Sequence, residues 1–474
     1  MMTRARASMK LASLSAATLL AACASMAPPY ERPPLAVADQ FPTAAPATAS
    51  GPAAADIDWR QVFTDARQQR LIELALQNNR DLRVAALNVE QAIARAQIQG
   101  ASLWPTVNAG LGGNRQNLGK AGTLTTYSAG VLVTAYELDF FGRLRSLSES
   151  AQAQAVSAED GRRATQISLV GAVAATHLAL LADDELLKLT QQTLDSRVES
   201  LRLTQLRFDN GALSELDYQL AVSVVASARA ALAAVQRQRA LDENLLVLLV
   251  GAPLPADLPA GAATIGEMAT FPELPVGLSA TVLQRRPDIL AAEQQLVAAN
   301  FNIGAARAAY FPQVSITAAG GSVSSEFSGL FKGGTWGWSV APQVLLTLFD
   351  AGRNRATNRL AEAGRDAALA QYDRTVQSAF REVADALAGR DTFDDQVRAL
   401  QDTSQAEAAR LRLVDLRYRN GVASSLDLLD SQRSLFAAQQ LALQGQLARA
   451  QNQVSLYKAL GGGWTETTTT SKAP

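Results

Sequence analysis

The chain has 474 residues, 43 of them Lys or Arg and 44 Asp or Glu, for a formal net charge of −1. This balance leaves no basic field for nucleic acid. One cysteine and one histidine exclude a disulfide framework and leave almost no ligand set for zinc. Scarce aromatics and abundant alanine suit long, closely packed helices rather than one bulky core.

The N-terminus predicts a secretory signal peptide over residues 1–22. Arg4, Arg6 and Lys10 form its basic region, and residues 11–22 form an apolar stretch too short to span a bilayer as a permanent helix. It ends in Leu20-Ala21-Ala22-Cys23, which resembles the bacterial lipobox. That resemblance makes Cys23 the site of diacylglycerol and N-acyl attachment (palmitate). Ala24 in place of aspartate resembles lipoproteins sorted to the outer membrane. The alternative is an ordinary signal with a chance cysteine. Beyond this covalent lipid no cofactor is expected. Residues 23–56, rich in Ala and Pro, read as a lipidated extended tether.

The rest of the sequence is doubled. Residues 201–220, LRLTQLRFDNGALSELDYQL, match residues 411–430, LRLVDLRYRNGVASSLDLLD, at ten of twenty positions without a gap. The same offset of 210 pairs Gly142-Arg143 with Gly352-Arg353 and Gly251 with Gly461. A repeat of this length is no solenoid unit but two copies of one complex topology. The expected division is a first repeat over 57–251, a Pro/Gly-rich linker over 252–280, a second repeat over 281–463 and a disordered tail over 464–474.

Each half shows the same order. A helical pattern (67–100, then 287–310) leads into short alternating segments, a very long helical run, a turn and another long helix. The run from 143 to 208 contains two glycines and no proline, and at 1.5 Å per residue it predicts about 100 Å of helix. Residues 353–418 predict its twin. Helices this long in antiparallel pairs are coiled-coil-like and need partners along their length.

In the alternating segments Pro105, Val107, Ala109 and Leu111, then Tyr127, Ala129, Val131 and Val133, present one apolar face. Val314, Ile316 and Ala318, and then Trp336, Trp338, Val340, Val344, Leu346 and Leu348, do the same. Small or polar residues occupy the other face, a pattern of transmembrane β-strands, with a half-buried soluble sheet as the alternative. The strands would form two hairpins with polar glycine-rich loops at 112–123 and 320–335. Four strands cannot close a barrel, whereas twelve strands from three chains would suffice.

The chain resembles the outer-membrane factor family, the TolC/OprM-type ducts. The resemblance rests on Asp58-Trp59 with Phe63 and Asp65, the segment LIELALQNNRDLRVA, and the run from Tyr136 to Arg143. It also rests on Gln284-Arg285-Arg286-Pro287-Asp288-Ile289 and on RYRNGVASSLDLLDSQRSLF. It implies a mixed α and β membrane protein with the TolC-like outer-membrane efflux fold. That fold is a long α-helical coiled-coil barrel plus four transmembrane β-strands per protomer, forming a 12-stranded trimeric β-barrel. The implied function is the exit duct of a tripartite efflux system, such as those of multidrug resistance. The implied partners are a periplasmic adaptor (membrane fusion) protein, an inner-membrane pump of the RND type and outer-membrane lipid. The lipobox places the chain among the lipoprotein members, anchored in the bacterial outer membrane and extending into the periplasm.

Candidate site residues gather at the duplicated turns. Asn210-Gly211 and Asn420-Gly421 are helix stops. Ser214 and Ser424 are each followed three residues later by aspartate, a capping-box spacing, so Asp217 and Asp427 have a structural reading as first-turn acids. Asp430 and Arg433 are different, because the repeat places Leu220 and Ser223 opposite them. The family resemblance implies a periplasmic gate in which Asp427 and Asp430 ring the pore, Leu426 forms an apolar collar and Arg433 pairs charges between protomers. It also implies a hydrogen bond from Tyr418 to Asp217. The exposed turns, with Arg207, Phe208, Asn210, Gly211, Arg417, Tyr418, Asn420 and Gly421, would meet the adaptor. No catalytic constellation is legible, so the chain reads as a passive duct and not an enzyme. The competing reading is a non-conducting periplasmic coiled-coil structural lipoprotein.

Overall fold

A computed structural model of the chain describes residues 25–42, 56–269 and 280–463. The signal peptide, Cys23, the tether residues 43–55, the linker residues 270–279 and the tail lie outside the described residues. Twelve α and β elements follow one another, besides short 3₁₀ turns. The first half carries α1 (Trp59–Val62), α2 (Ala66–Asn78), α3 (Arg80–Ala101), β1 (Val107–Asn117), β2 (Thr123–Leu138), α4 (Arg143–Asp209) and α5 (Glu215–Val250). The second carries α6 (Pro287–Ala308), β3 (Gln313–Ser324), β4 (Trp336–Leu345), α7 (Arg353–Arg419) and α8 (Ser425–Ala459).

The duplication is written into the backbone. Helices α4 and α7 are both 67 residues long and start at the paired arginines. The paired glycines ahead of and behind the long helices all adopt positive φ: 73° and 86° at Gly142 and Gly352, 70° and 71° at Gly211 and Gly421. Other residues pay a steric cost there, which explains why these positions match. The helical pattern over 67–100 proves to be two helices. Asn79 breaks it, its buried side chain donating to the Leu249 carbonyl at 2.8 Å and accepting from the Leu82 amide at 2.9 Å.

The chain falls into two compact units. One comprises Met1–Pro34, Leu87–Glu159 and Leu290–Arg374 and contains the sheet; the other comprises Leu35–Ala86, Asp160–Ile289 and Thr375–Pro474. In the first unit the sheet order is β1-β2-β3-β4, antiparallel throughout. Its register puts Val107, Val133, Ala318 and Val340 in one cross-strand row and Ala109, Val131, Gly320 and Trp338 in another. This face is apolar yet exposed, with Trp338 at 73% and Val131 at 54%. On the opposite face Gly110, Gly130, Gly321 and Gly337 form one row across all four strands. Small residues let the neighbouring backbones close up: a Cβ on Gly130 would sit 2.7 Å from the Gly321 Cα. Strand β1 runs further than its hydrophobic alternation, whereas β4 ends at Leu345, before the expected Leu346 and Leu348. Gly112 to Asn117 continue β1, paired with Thr123 to Ser128, so the expected loop at 112–123 shrinks to 118–122. Backbone hydrogen bonds pair these residues whatever their side chains.

Residues 25–34, the tether's described start within this unit, lie docked along α6. Arg32 grips the buried Glu293 carboxylate through Nε at 2.7 Å and Nη2 at 2.5 Å, and Tyr30 donates its hydroxyl to the same group at 3.2 Å. Asn300 donates to the Pro28 carbonyl at 2.7 Å. Composition alone gave no hint of these anchors.

The second unit has an extensive apolar core. Trp59, Val62 and Phe63 join Leu71, Ile72, Val170, Val173, Leu178, Leu246, Val250 and Tyr457 in one cluster. Burying each large side chain stabilises the unit by roughly 1.5–3 kcal/mol. The entry to this core is set by caps: Asp58 accepts from the Arg60 amide at 2.8 Å and Asp65 from the Gln68 amide at 2.7 Å. The Tyr457 hydroxyl closes it, donating to the Ile57 carbonyl at 2.7 Å.

Candidate functional site: the paired helix turns

Both turns are built the same way within the second unit. Gly211 donates its amide to the Phe208 carbonyl at 2.8 Å and Ala212 to Arg207 at 2.8 Å; Gly421 and Val422 repeat this with Tyr418 and Arg417 at 3.0 and 2.9 Å. The side chains of Asn210 and Asn420 satisfy the Leu206 and Leu416 carbonyls at 2.6 and 2.7 Å. Helix ends leave such carbonyls orphaned, and these bonds satisfy them. The next helices are capped by Ser214 and Ser424. At Ser424 the capping box is reciprocal: the Asp427 amide donates to Ser424 Oγ at 3.1 Å and the Ser424 amide donates to Asp427 Oδ2 at 3.0 Å.

The turns meet through side chains. Arg207 donates from Nη1 to the Tyr418 hydroxyl at 2.9 Å, while within the first turn Phe208 stacks on Tyr218 with ring centroids 5.2 Å apart. Asp217 accepts from Ser214 Oγ at 2.7 Å and from Ser425 Oγ at 3.0 Å. Within one chain the expected Tyr418–Asp217 bond is therefore replaced. Serine hydroxyls meet both Asp217 oxygens and hold its carboxyl below the usual range, Ser214 first and Ser425 second. The Tyr418 hydroxyl turns to the arginine instead.

The two expected gate acids have different surroundings. Asp427 is tied to Ser424, which keeps its carboxyl low, while Leu426 beside it is 61% exposed. Asp430 sits between two guanidiniums. Arg433 donates from Nη2 to Oδ1 at 2.6 Å, and Arg410 donates from Nη2 to Oδ2 at 2.9 Å. These bonds, Arg410 first, depress the Asp430 carboxyl. Arg433 thus has a partner on its own helix, where a pairing between protomers was expected. Sequence reasoning missed Arg410. The signal was present, because the repeat places Ser200 opposite it, the same kind of mismatch that marks Asp430 and Arg433.

Two segments, residues 71–252 and 278–462, match the outer membrane efflux protein family. The chain belongs to this family. The probable efflux pump outer membrane protein TtgC of Pseudomonas putida is 43% identical over 468 residues, 97% of this chain and 96% of its own length. The outer membrane protein OprJ of Pseudomonas aeruginosa is 42% identical over 464 residues, 96% of each. Among solved structures, the open state of the Neisseria gonorrhoeae MtrE outer membrane channel aligns with a TM-score of 0.85 at 39% identity. It covers 93% of this chain and 99% of that one. CusC aligns with a TM-score of 0.83 at 36% identity, covering 93% and 100%. The fold of this efflux protein is thus the TolC-like outer-membrane channel fold, mixed helix and strand, and its place is the outer membrane.

Proposed function

We propose that the chain is one protomer of a homotrimeric exit duct that passively conducts substrates delivered by an inner-membrane pump and a periplasmic adaptor. One observation carries this reading: a four-stranded sheet with an exposed apolar face and two edge strands, β1 and β4, joined in one chain to two 67-residue helices. An open sheet of four cannot stand in lipid, where every backbone group needs a partner. Three copies edge to edge make twelve strands and leave no edge. The duct does no chemistry, and its energy comes from the pump, here taken to be of the RND type.

The gate lies at the second-repeat turn, where Asp427 and Asp430 ring the pore, Leu426 collars it, Tyr418 and Asp217 hold the helices in place, and Arg433 pairs with the Asp430 carboxylate. The turn residues Arg207, Phe208, Asn210, Gly211, Arg417, Asn420 and Gly421 face the adaptor. Cys23 carries the lipid that fixes the N-terminus to the membrane, and the 57–251 and 281–463 repeats are the two arms of each protomer.

The test is single-channel recording from the purified full-length protein in a planar lipid bilayer. Asp430→Ala with Arg433→Ala is expected to raise conductance above wild type. Unchanged conductance would sink the gate assignment. Absence of any conductance in wild type and variant alike would favour the structural lipoprotein instead.

A further inference from the structure

Asp430 is held from two sides, and the two holds differ in what they restrain. Arg433 lies one turn along α8 from Asp430, so the pair moves as a unit and fastens α8 to nothing. Arg410 lies on α7, so its 2.9 Å pair with Asp430 ties the second turn of α8 to the neighbouring helix. Glu407, one turn back on α7, takes the other end of the Arg410 guanidinium at 3.1 Å and fixes its direction.

The first repeat has no such link. Glu407, Arg410, Asp430 and Arg433 correspond to Arg197, Ser200, Leu220 and Ser223, which cannot reproduce any of the three pairs. There α4 and α5 pack instead through Leu194, Val225 and Ala228, with Leu201 and Leu232 against them. Arg197 itself is buried on α4, with its guanidinium 5.9 Å from the Phe436 ring on α8, and its charge opposes that of Arg433. Arg197 therefore offers Arg433 no partner that would fasten α8 to α4.

We infer that Arg410 is the positioning residue of the gate: it holds the Asp430 carboxylate, and with it the start of α8, against α7 in the closed channel. The inference rests on the gate reading above. Loss of this interhelical pair frees α8, whereas loss of Arg433 alone leaves α8 fastened.

Planar-bilayer recording of the full-length protein tests this. Arg410→Ala is expected to raise conductance severalfold, Arg433→Ala much less, and Arg410→Lys to remain near wild type because an ammonium still reaches one oxygen. Arg410→Met, which keeps the bulk of the side chain without its charge, is expected to open the channel like Arg410→Ala, which a mere packing role for Arg410 would not do. If Asp430→Ala with Arg433→Ala opens the channel while Arg410→Ala does not, the clamp is overturned and the gate stands. If Arg410→Met stays closed like wild type, the clamp is likewise overturned. If none of these variants changes conductance, the gate reading falls and the clamp with it.

Discussion

Arg207 on α4 donates a 2.9 Å hydrogen bond to the Tyr418 hydroxyl on α7, and its guanidinium lies 5.1 Å from the centre of the tyrosine ring. One residue from each repeat thus joins the two turns, although the repeat-equivalents Arg417 and Phe208 cannot form the same pair. Tyr418→Phe keeps the ring contact and loses the hydrogen bond. Arg207→Ala loses both, at about 1 kcal/mol for the bond and ~0.5–1 kcal/mol for the ring contact. Amide exchange at residues 415–422 is expected to quicken more in Arg207→Ala than in Tyr418→Phe. Equal quickening would show that the ring contact contributes nothing.

Glu293 is buried and depends on Arg32 and Tyr30 for its partners. Arg32→Ala leaves the carboxylate under-compensated. The expected cost is about 2 kcal/mol, below the roughly 3–5 kcal/mol of a fully buried pair because Arg32 is half exposed. Chymotrypsin cleavage after Tyr30 should quicken, while Arg285→Ala, whose ion pair with Asp56 is exposed on both sides, should leave that segment unchanged. Unchanged cleavage in Arg32→Ala would contradict this account of the docked segment.

Adjacent glycines on β3 should behave differently. A Cβ on Gly321 would lie 2.6 Å from the Gly130 Cα across the β2–β3 seam, whereas one on Gly320 meets nothing within 4 Å. Gly321→Ala, and Gly130→Ala opposite it, are expected to prevent assembly of conducting channels, and Gly320→Ala to permit it. Bilayer recording and migration of the unheated protein on a gel would both report the outcome. Normal assembly of Gly321→Ala would mean that the seam can open to admit a methyl group.

Asp183 on α4 is buried with Oδ2 lacking a donor among the described residues, and Asp242 on α5 faces it. Burial first, then Asp242 and Asp184, push its carboxyl up from 3.8 to about 7, against the opposing charge of Arg239. A raised carboxyl contributes stability that is present below 3.8 and lost as pH rises through about 7. Exchange protection near residues 178–186 should therefore be weaker at high than at low pH across that window, after correction for intrinsic rates. Asp183→Asn should flatten the dependence and strengthen protection on the alkaline side. His177 acts with the opposite sign, because burial lowers it from 6.5 to about 4 and protonation removes stability as pH falls through that range. The comparison is therefore made in a His177→Gln background. An unchanged slope in Asp183→Asn would rule out this carboxyl as the source.

Much of the site was legible in the sequence because the duplication supplied an internal comparison. Asn210 and Asn420, Ser214 and Ser424 match because helix stops and caps are local devices, satisfied by residues a few positions away. Asp430 and Arg433 stood out because their mates are Leu220 and Ser223. Arg410 was overlooked although Ser200 marks it equally, since nothing in a helical repeat says which charge on one helix reaches an acid twenty residues away on the next. The replaced Tyr418–Asp217 bond has the same cause: three hydroxyls and one arginine compete at the turns, and spacing along the chain does not rank them.

The sequence by itself determined the doubled plan, the lengths of the long helices and the two-faced strands. These follow from periodicity, from glycines that must adopt positive φ, and from caps that close within a turn. Only the tertiary structure decided the row of four glycines across the sheet, the docking of residues 25–34 on α6 and the ion pair of Arg410 with Asp430. Each depends on register or on the approach of helices distant in sequence, and a side chain's charge and size do not encode which distant partner it meets.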